Sequence, residues 1–125
     1  MGWKAQVSRI ASEPAHLAES PARENLVSDK KLRDVRPIVT NLSSPEGAWI
    51  RVELALLISG KSDPKLDQYV AEFISDTTDF LRGTDARQIT GANGLRRLRA
   101  DLLERARFRI GPAVEAVLIQ TLVVQ

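Results

Sequence analysis

Ala48-Trp49-Ile50-Arg51-Val52-Glu53-Leu54-Ala55-Leu56-Leu57-Ile58-Ser59 is the stretch that decides the fold class. Ile50, Val52, Leu54, Leu56 and Ile58 fall on one parity, and Trp49, Arg51, Glu53 and Ala55 on the other. Side chains alternate across a strand, so this period of two predicts a long strand with one buried face and one partly wet face.

Working outward, Pro37-Ile38-Val39-Thr40-Asn41-Leu42 is rich in β-branched residues, with Pro at the edge where a strand tolerates it. Ser44-Pro45-Glu46-Gly47 then reads as the connecting turn. Pro presets φ at the second turn position, and Gly accepts the positive φ that ends the loop.

On the other side, Ser62-Asp63-Pro64 predicts a helix start, with Asp63 as N-cap and Pro64 at the first helical position, where its missing N–H costs nothing. Leu66, Tyr69, Val70, Phe73, Ile74 and Leu81 make a single apolar stripe that must pack on the sheet. The pattern breaks between Gly83 and Gly94. A second helix is expected from Asn93 or Gly94, with Leu95, Leu98, Leu102 and Ala106 on its apolar side, ending at Gly111-Pro112.

Val114 to Gln125 is nearly continuous in Val, Leu, Ile and Ala. It predicts a long strand buried on both faces or covered by the helices. The expected order is β-β-α-α-β, an α+β fold in which two helices cover one face of a small antiparallel or mixed sheet. Residues 1–35 carry Pro14, Pro21 and scattered charges without an apolar period, and read as a stalk or linker with room for a short helix around Asp29 to Val35. Residues 36–125 form the domain. No internal repeat or low-complexity tract is present.

The totals limit function. A chain of 125 residues with 43% hydrophobic and 27% charged residues is one ordinary globular domain. Aromatic residues make up only 5%, too few for the stacking platforms that single-stranded nucleic acid needs, and the net charge of +2 is below that of most nucleic-acid binders. Cysteine is absent, which removes disulfides, thiolate nucleophiles and Cys-ligated zinc. No run reaches the roughly 18 to 20 apolar residues that span a bilayer.

Catalytic constellations are missing. The single histidine, His16, sits in the polar N-terminal arm without a second His or organised carboxylates. No serine lies in a G-x-S-x-G elbow or an S-x-x-K context. Gly91-Ala92-Asn93-Gly94 precedes a helix but lacks the Lys-Ser/Thr of a phosphate loop, so a plain helix start is expected. The sequence calls for no metal and no cofactor, and assigns no catalytic residue.

Charge is where the sequence speaks. The second helix carries Arg96, Arg97, Arg99, Arg105, Arg107 and Arg109, interrupted by Asp101 and Glu104. Arg97, Asp101 and Arg105 stand at i, i+4 spacing, which predicts a self-paired, solvated face. The first helix carries Asp67, Glu72, Asp76 and Asp79 against one basic residue, Lys65. One acidic and one basic helix suit head-to-tail assembly, because heterologous contacts need complementary patches. Neutralisation between the two helices of one chain is the competing account. The candidate interface is Asp67, Glu72 and Asp76 with Arg96, Arg97 and Arg107. A nucleic-acid-binding module using the arginine-rich helix, residues 94–110, is the alternative.

A resemblance follows from the same stretches. Val39-Thr40-Asn41-Leu42, Pro45-Glu46-Gly47 and Trp49-Ile50-Arg51-Val52-Glu53-Leu54-Ala55-Leu56 resemble the opening hairpin of the FliL family of flagellar basal body-associated proteins. Gly94-Leu95-Arg96-Arg97-Leu98-Arg99-Ala100-Asp101-Leu102 is similar to that family's G-x-x-x-L-R-x-x-L helix, and Leu122-Val123-Val124-Gln125 resembles its closing strand. The likeness runs over residues 36–125. It implies a periplasmic domain with a stomatin/prohibitin (SPFH-like) fold, tied to the inner membrane by a transmembrane helix upstream of this sequence. It further implies a non-enzymatic homo-oligomer, a ring around the MotA/MotB stator units that supports torque and motility.

Overall fold

The computed structural model describes residues 30–61 and 63–125. Four strands, two α-helices and one 3-10 turn follow in the order β1 (Lys30–Asp34), β2 (Ile38–Asn41), β3 (Trp49–Ser59), α1 (Leu66–Arg82), the turn Ala86–Ile89, α2 (Gly91–Arg109) and β4 (Val114–Val124). The fold is α+β, with one antiparallel sheet and both helices packed on one of its faces. No helix among the described residues is long and apolar enough to cross a membrane.

β3 is the centre of the sheet because its period of two extends over 11 residues. It pairs antiparallel with β4 along one side, from Ile50↔Val124 to Ile58↔Val114. Along its other side it pairs with β2 at Trp49–Val52 and with β1 at Ala55–Ser59. β1 and β2 thus lie end to end. Val35 bridges them by donating its N–H to the Leu54 carbonyl at 3.0 Å.

β1 corrects the short helix expected around Asp29 to Val35. Its sequence, Lys-Lys-Leu-Arg-Asp, has no strand signature of its own, and the strand exists because β3 offers an open edge there. It occupies residues read from sequence as the end of the stalk.

The turn between β2 and β3 is displaced by one residue from the expected Ser44–Gly47: Ala48 N–H donates to the Pro45 carbonyl at 3.0 Å, so Pro45 stands first in the turn and not second, while Gly47 takes the positive φ expected of it. Gly47 sits at φ 86°, the Ser44–Pro45 peptide is cis, and Leu42 N–H donates to the Ala48 carbonyl at 2.9 Å. Helix α1 starts one turn-step later than expected. Asp63 Oδ1 accepts the Lys65 N–H at 2.8 Å and its carbonyl accepts the Leu66 N–H, so Asp63 and Pro64 build a turn before the helix and Lys65 becomes the N-cap. Helix α2 starts earlier than expected, at Gly91.

Of the two expectations for β4, burial on both faces is not met: the strand is covered by the helices on one face and exposed on the other. Val114, Val117 and Ile119 are buried, whereas Glu115, Leu118 and Gln120 are exposed. Glu115 and Gln120 are extra residues at two register shifts against β3, and each bulge switches the alternation of β4, so that Val114, Val117, Ile119, Leu122 and Val124 all oppose the core-facing residues of β3.

The core lies between this face and the helices. Ile50, Leu54, Leu56, Phe73, Leu81, Leu98, Leu102, Val114 and Val117 are all within 2% of full burial. Each large side chain contributes on the order of 1.5 to 3 kcal/mol. Thr77 is also fully buried in α1, although the apolar stripe read from sequence passed over it. Its hydroxyl has no hydrogen-bond partner among the described residues.

Gly94 is buried in α2 because the helix crosses the 3-10 turn there. A Cβ at this position would lie 2.8 Å from the Ile89 carbonyl carbon and 3.0 Å from the Gln88 oxygen. Such distances exclude any side chain without a shift of backbone.

Candidate interaction surfaces

The helix pair is held by charge as well as by apolar contact. Asp76 of α1 lies where the C-terminal half of α2 crosses it. Arg105 Nη1 donates to Asp76 Oδ1 at 2.8 Å, and Arg109 Nε donates to Oδ2 at 3.3 Å. Arg105 also stacks over the Phe80 ring, its guanidinium carbon 4.0 Å from the centroid. The expected ladder from Arg97 through Asp101 to Arg105 is not formed. Arg105 instead takes the half-buried carboxylate of the neighbouring helix, where less water competes for it.

The other residues of the candidate interface stand apart from this clasp. Asp67 receives Arg33 Nη2 of β1 at 2.8 Å while keeping 87% of its side chain exposed. Arg107 Nε donates to the Val114 carbonyl at 2.9 Å, fastening the end of α2 to the start of β4. Arg96 Nη2 donates to Asn93 Oδ1 at 2.7 Å within its own helix. Glu72 and Arg97 are exposed and make no ion pair or side-chain hydrogen bond among the described residues.

Two cationic regions therefore differ. At the C-terminal end of α2 the arginines are consumed by Asp76 and by a backbone carbonyl. At its N-terminal half Arg96, Arg97 and Arg99 are exposed and meet no carboxylate among the described residues.

Next to this free cluster lies a local device that sequence reading did not single out. Asp85 caps the 3-10 turn, its Oδ1 accepting the Arg87 N–H at 2.8 Å while Gln88 Oε1 accepts the Asp85 N–H at 2.9 Å. The pattern Asp-x-x-Gln was visible as a capping box. The Arg87 guanidinium also grips both carboxylate oxygens, at 3.1 and 2.8 Å. These bonds, the Arg87 side chain first and its backbone N–H second, pull the Asp85 pKa down from 3.8 to about 2. The turn is tied to the β2–β3 loop, because Ser44 and Asp85 bridge in parallel and Ala86 N–H donates to the Ser44 carbonyl at 2.8 Å.

A second feature missed from sequence is the cleft of about 450 Å³ between α1 and α2, lined by Asp76, Phe80, Asp101, Glu104 and Phe108. Phe108 is 79% exposed there, with the Arg109 guanidinium 5.2 Å from its ring centre. Its place two residues beyond Ala106, off the stripe of Leu98 and Leu102, was the available signal. His16 lies outside the described residues.

Comparison with known proteins gives one assignment. No curated protein matches the chain. The model of the family described as flagellar basal body-associated protein FliL matches residues 33–125. That span runs from within β1 through β4 and includes both helices and the whole core. The chain thus belongs to the FliL family of flagellar basal body-associated proteins.

Proposed function

We propose that this domain is a non-enzymatic accessory of the flagellar motor, which assembles into a ring on the periplasmic side of the inner membrane and supports MotA/MotB stator units. The family match over the entire described fold except the first residues of β1 is the observation that carries this reading. The charge layout supports assembly. Arg96, Arg97 and Arg99 are exposed on α2 and form no ion pair among the described residues, and Asp67 and Glu72 are exposed on α1. Contact between these two surfaces on successive copies is heterologous and can propagate around a ring. Asp76 and Arg107, by contrast, act within one subunit, where they hold α2 in place.

The experiment is a pull-down of the chain with the periplasmic part of a MotB stator subunit, beside a variant carrying Arg96→Glu and Arg97→Glu. Capture by the native chain and loss in the variant support the reading. No capture by either, with the chain tethered densely to a bilayer so that weak contacts gain effective concentration, overturns it.

The free Arg96, Arg97 and Arg99 also favour a second reading, a nucleic-acid-binding module. Phosphate contacts weaken steeply with salt. A gel shift at low salt that disappears on salt addition supports that reading, and no shift at low salt removes it.

A further inference from the structure

The core between the sheet and the helices opens at one end. There the end of β3, the start of α1 and the end of α2 leave a cavity of about 340 Å³, floored by Ile58, Leu66, Tyr69, Ile110 and Ala113. Ile58, Leu66 and Ile110 also pack against the buried cluster, so the cavity continues the core toward solvent. Its volume falls inside the range of roughly 300 to 1,000 Å³ that ligand sites occupy.

The mouth of this cavity is cationic. Lys31 is opposed to Ile58 and Arg33 to Leu56, so both leave β1 on the helix side, and with Lys61 they line the opening. Such side chains lay their methylenes on apolar surface and keep the charge in water. Asp63 is the one acid in the lining, and its Oδ1 accepts the Lys65 N–H at 2.8 Å. Arg33 is held by Asp67. The lysines are not held in this way. Lys30, Lys31, Lys61 and Lys65 are exposed and form no ion pair among the described residues. They are all the lysines that the described residues contain, and all stand at this end. Lys30 and Lys31 pair with Ser59 and Ile58, Lys61 follows the end of β3, and Lys65 is the N-cap of α1.

We propose that this end of the fold docks on an anionic lipid surface and seats one phospholipid, its chain in the cavity and its phosphate among Lys31, Lys61 and Lys65. Apart from Tyr69 the floor residues carry no polar side chain, so the interior selects by volume and suits an aliphatic chain. The mouth selects the head, because unpaired lysines are drawn to anionic lipid and each one adds to the attraction. A free inorganic anion would leave the apolar floor unused, and a neutral hydrocarbon would leave the lysines unused. The proposal does not rest on the motor reading, since Arg97 stands about 20 Å from Ile110 along α2.

Co-sedimentation of the full 125-residue chain with lipid vesicles tests it. Vesicles containing phosphatidylglycerol should retain the chain, and vesicles of phosphatidylcholine alone should not. Lys31→Glu with Lys61→Glu should weaken retention roughly tenfold or more, by reversing two charges at the mouth. Ala113→Leu fills the cavity without touching charge and should weaken it several-fold, whereas Arg96→Glu with Arg97→Glu should leave it within a few-fold. In solution, hexyl, octyl and decyl phosphate should perturb the Tyr69 ring resonances and bind about fourfold tighter for each added methylene until the cavity is full. Melting curves report folding of each variant, and if Ala113→Leu fails to fold, the chain-length series decides. No retention on phosphatidylglycerol overturns the proposal, as does equal retention on phosphatidylcholine. Retention indifferent to Ala113→Leu, with no dependence on chain length, overturns it in favour of surface charge alone. Displacement by inorganic phosphate as effective as by decyl phosphate reduces the site to one for a free anion and overturns it. Equal displacement by a glutamate-rich peptide overturns it in favour of a protein partner.

Discussion

Arg105 leaves the acidic neighbours on its own helix and donates to Asp76 of α1, 29 residues earlier, at 2.8 Å. Arg109 takes the other oxygen of the same carboxylate, and the Asp76 side chain is only 15% exposed. One acid thus anchors the C-terminal half of α2 onto α1. Asp76→Ala leaves two arginines without their partner beside Phe80, and should cost about 1 to 2 kcal/mol, read as a lower urea midpoint with unchanged slope.

Gly94 sets the approach of α2 to the 3-10 turn. Gly94→Ala gains roughly 1 kcal/mol of helix propensity, yet its methyl must enter a space 2.8 Å from backbone that cannot swing aside. Overpacking of this kind costs about 1 to 3 kcal/mol. The net expectation is a lower melting temperature, measured by circular dichroism.

Thr77 presents the opposite case, since its buried hydroxyl has no partner among the described residues. Thr77→Val keeps the shape and removes an unpaired polar atom. Stability should rise by about 1 kcal/mol. Thr77→Ser keeps the hydroxyl, deletes the methyl, and should lower it.

The Asp85 pKa of about 2 lies below its ordinary 3.8. A group with a depressed folded-state pKa contributes stability above 3.8 that is lost as pH falls toward about 2. Denaturation midpoints followed through that window should fall with acid. In Asp85→Ala the same curve should start lower and fall less.

How far these features could be read beforehand depends on where their causes lie. β3, α1 and α2 announce themselves because burial of one face leaves a period of two or 3.6 in the chain. β1 does not, since four of its five residues are charged and its conformation comes from pairing with β3. β4 was recognised as a strand, but its apolar run concealed the bulges at Glu115, opposite Leu57 and Ile58, and at Gln120, opposite Glu53 and Leu54, which depend on register with a strand far away in the chain. The charge sites divide in the same way. Arg107 and Asp76 were visible as charges, but helix spacing alone assigned Arg105 to Asp101, and only the crossing of the helices shows it bound to Asp76. The exposed Arg96 and Arg97 stand as expected on the helix surface, because nothing distant competes for them.

The central strand has a consequence for the order of events at birth. β3 receives β1 and β2 along one side from residues already made before it, but its other side waits for Val114–Val124. A ribosome must therefore release residues 60–124 before that side is closed, and until then the apolar row from Ile50 to Leu56 has only half its neighbours. During that interval the nascent chain offers a sticky, unfinished edge of the kind that chaperones hold, so cooperative folding of this domain belongs after synthesis of β4.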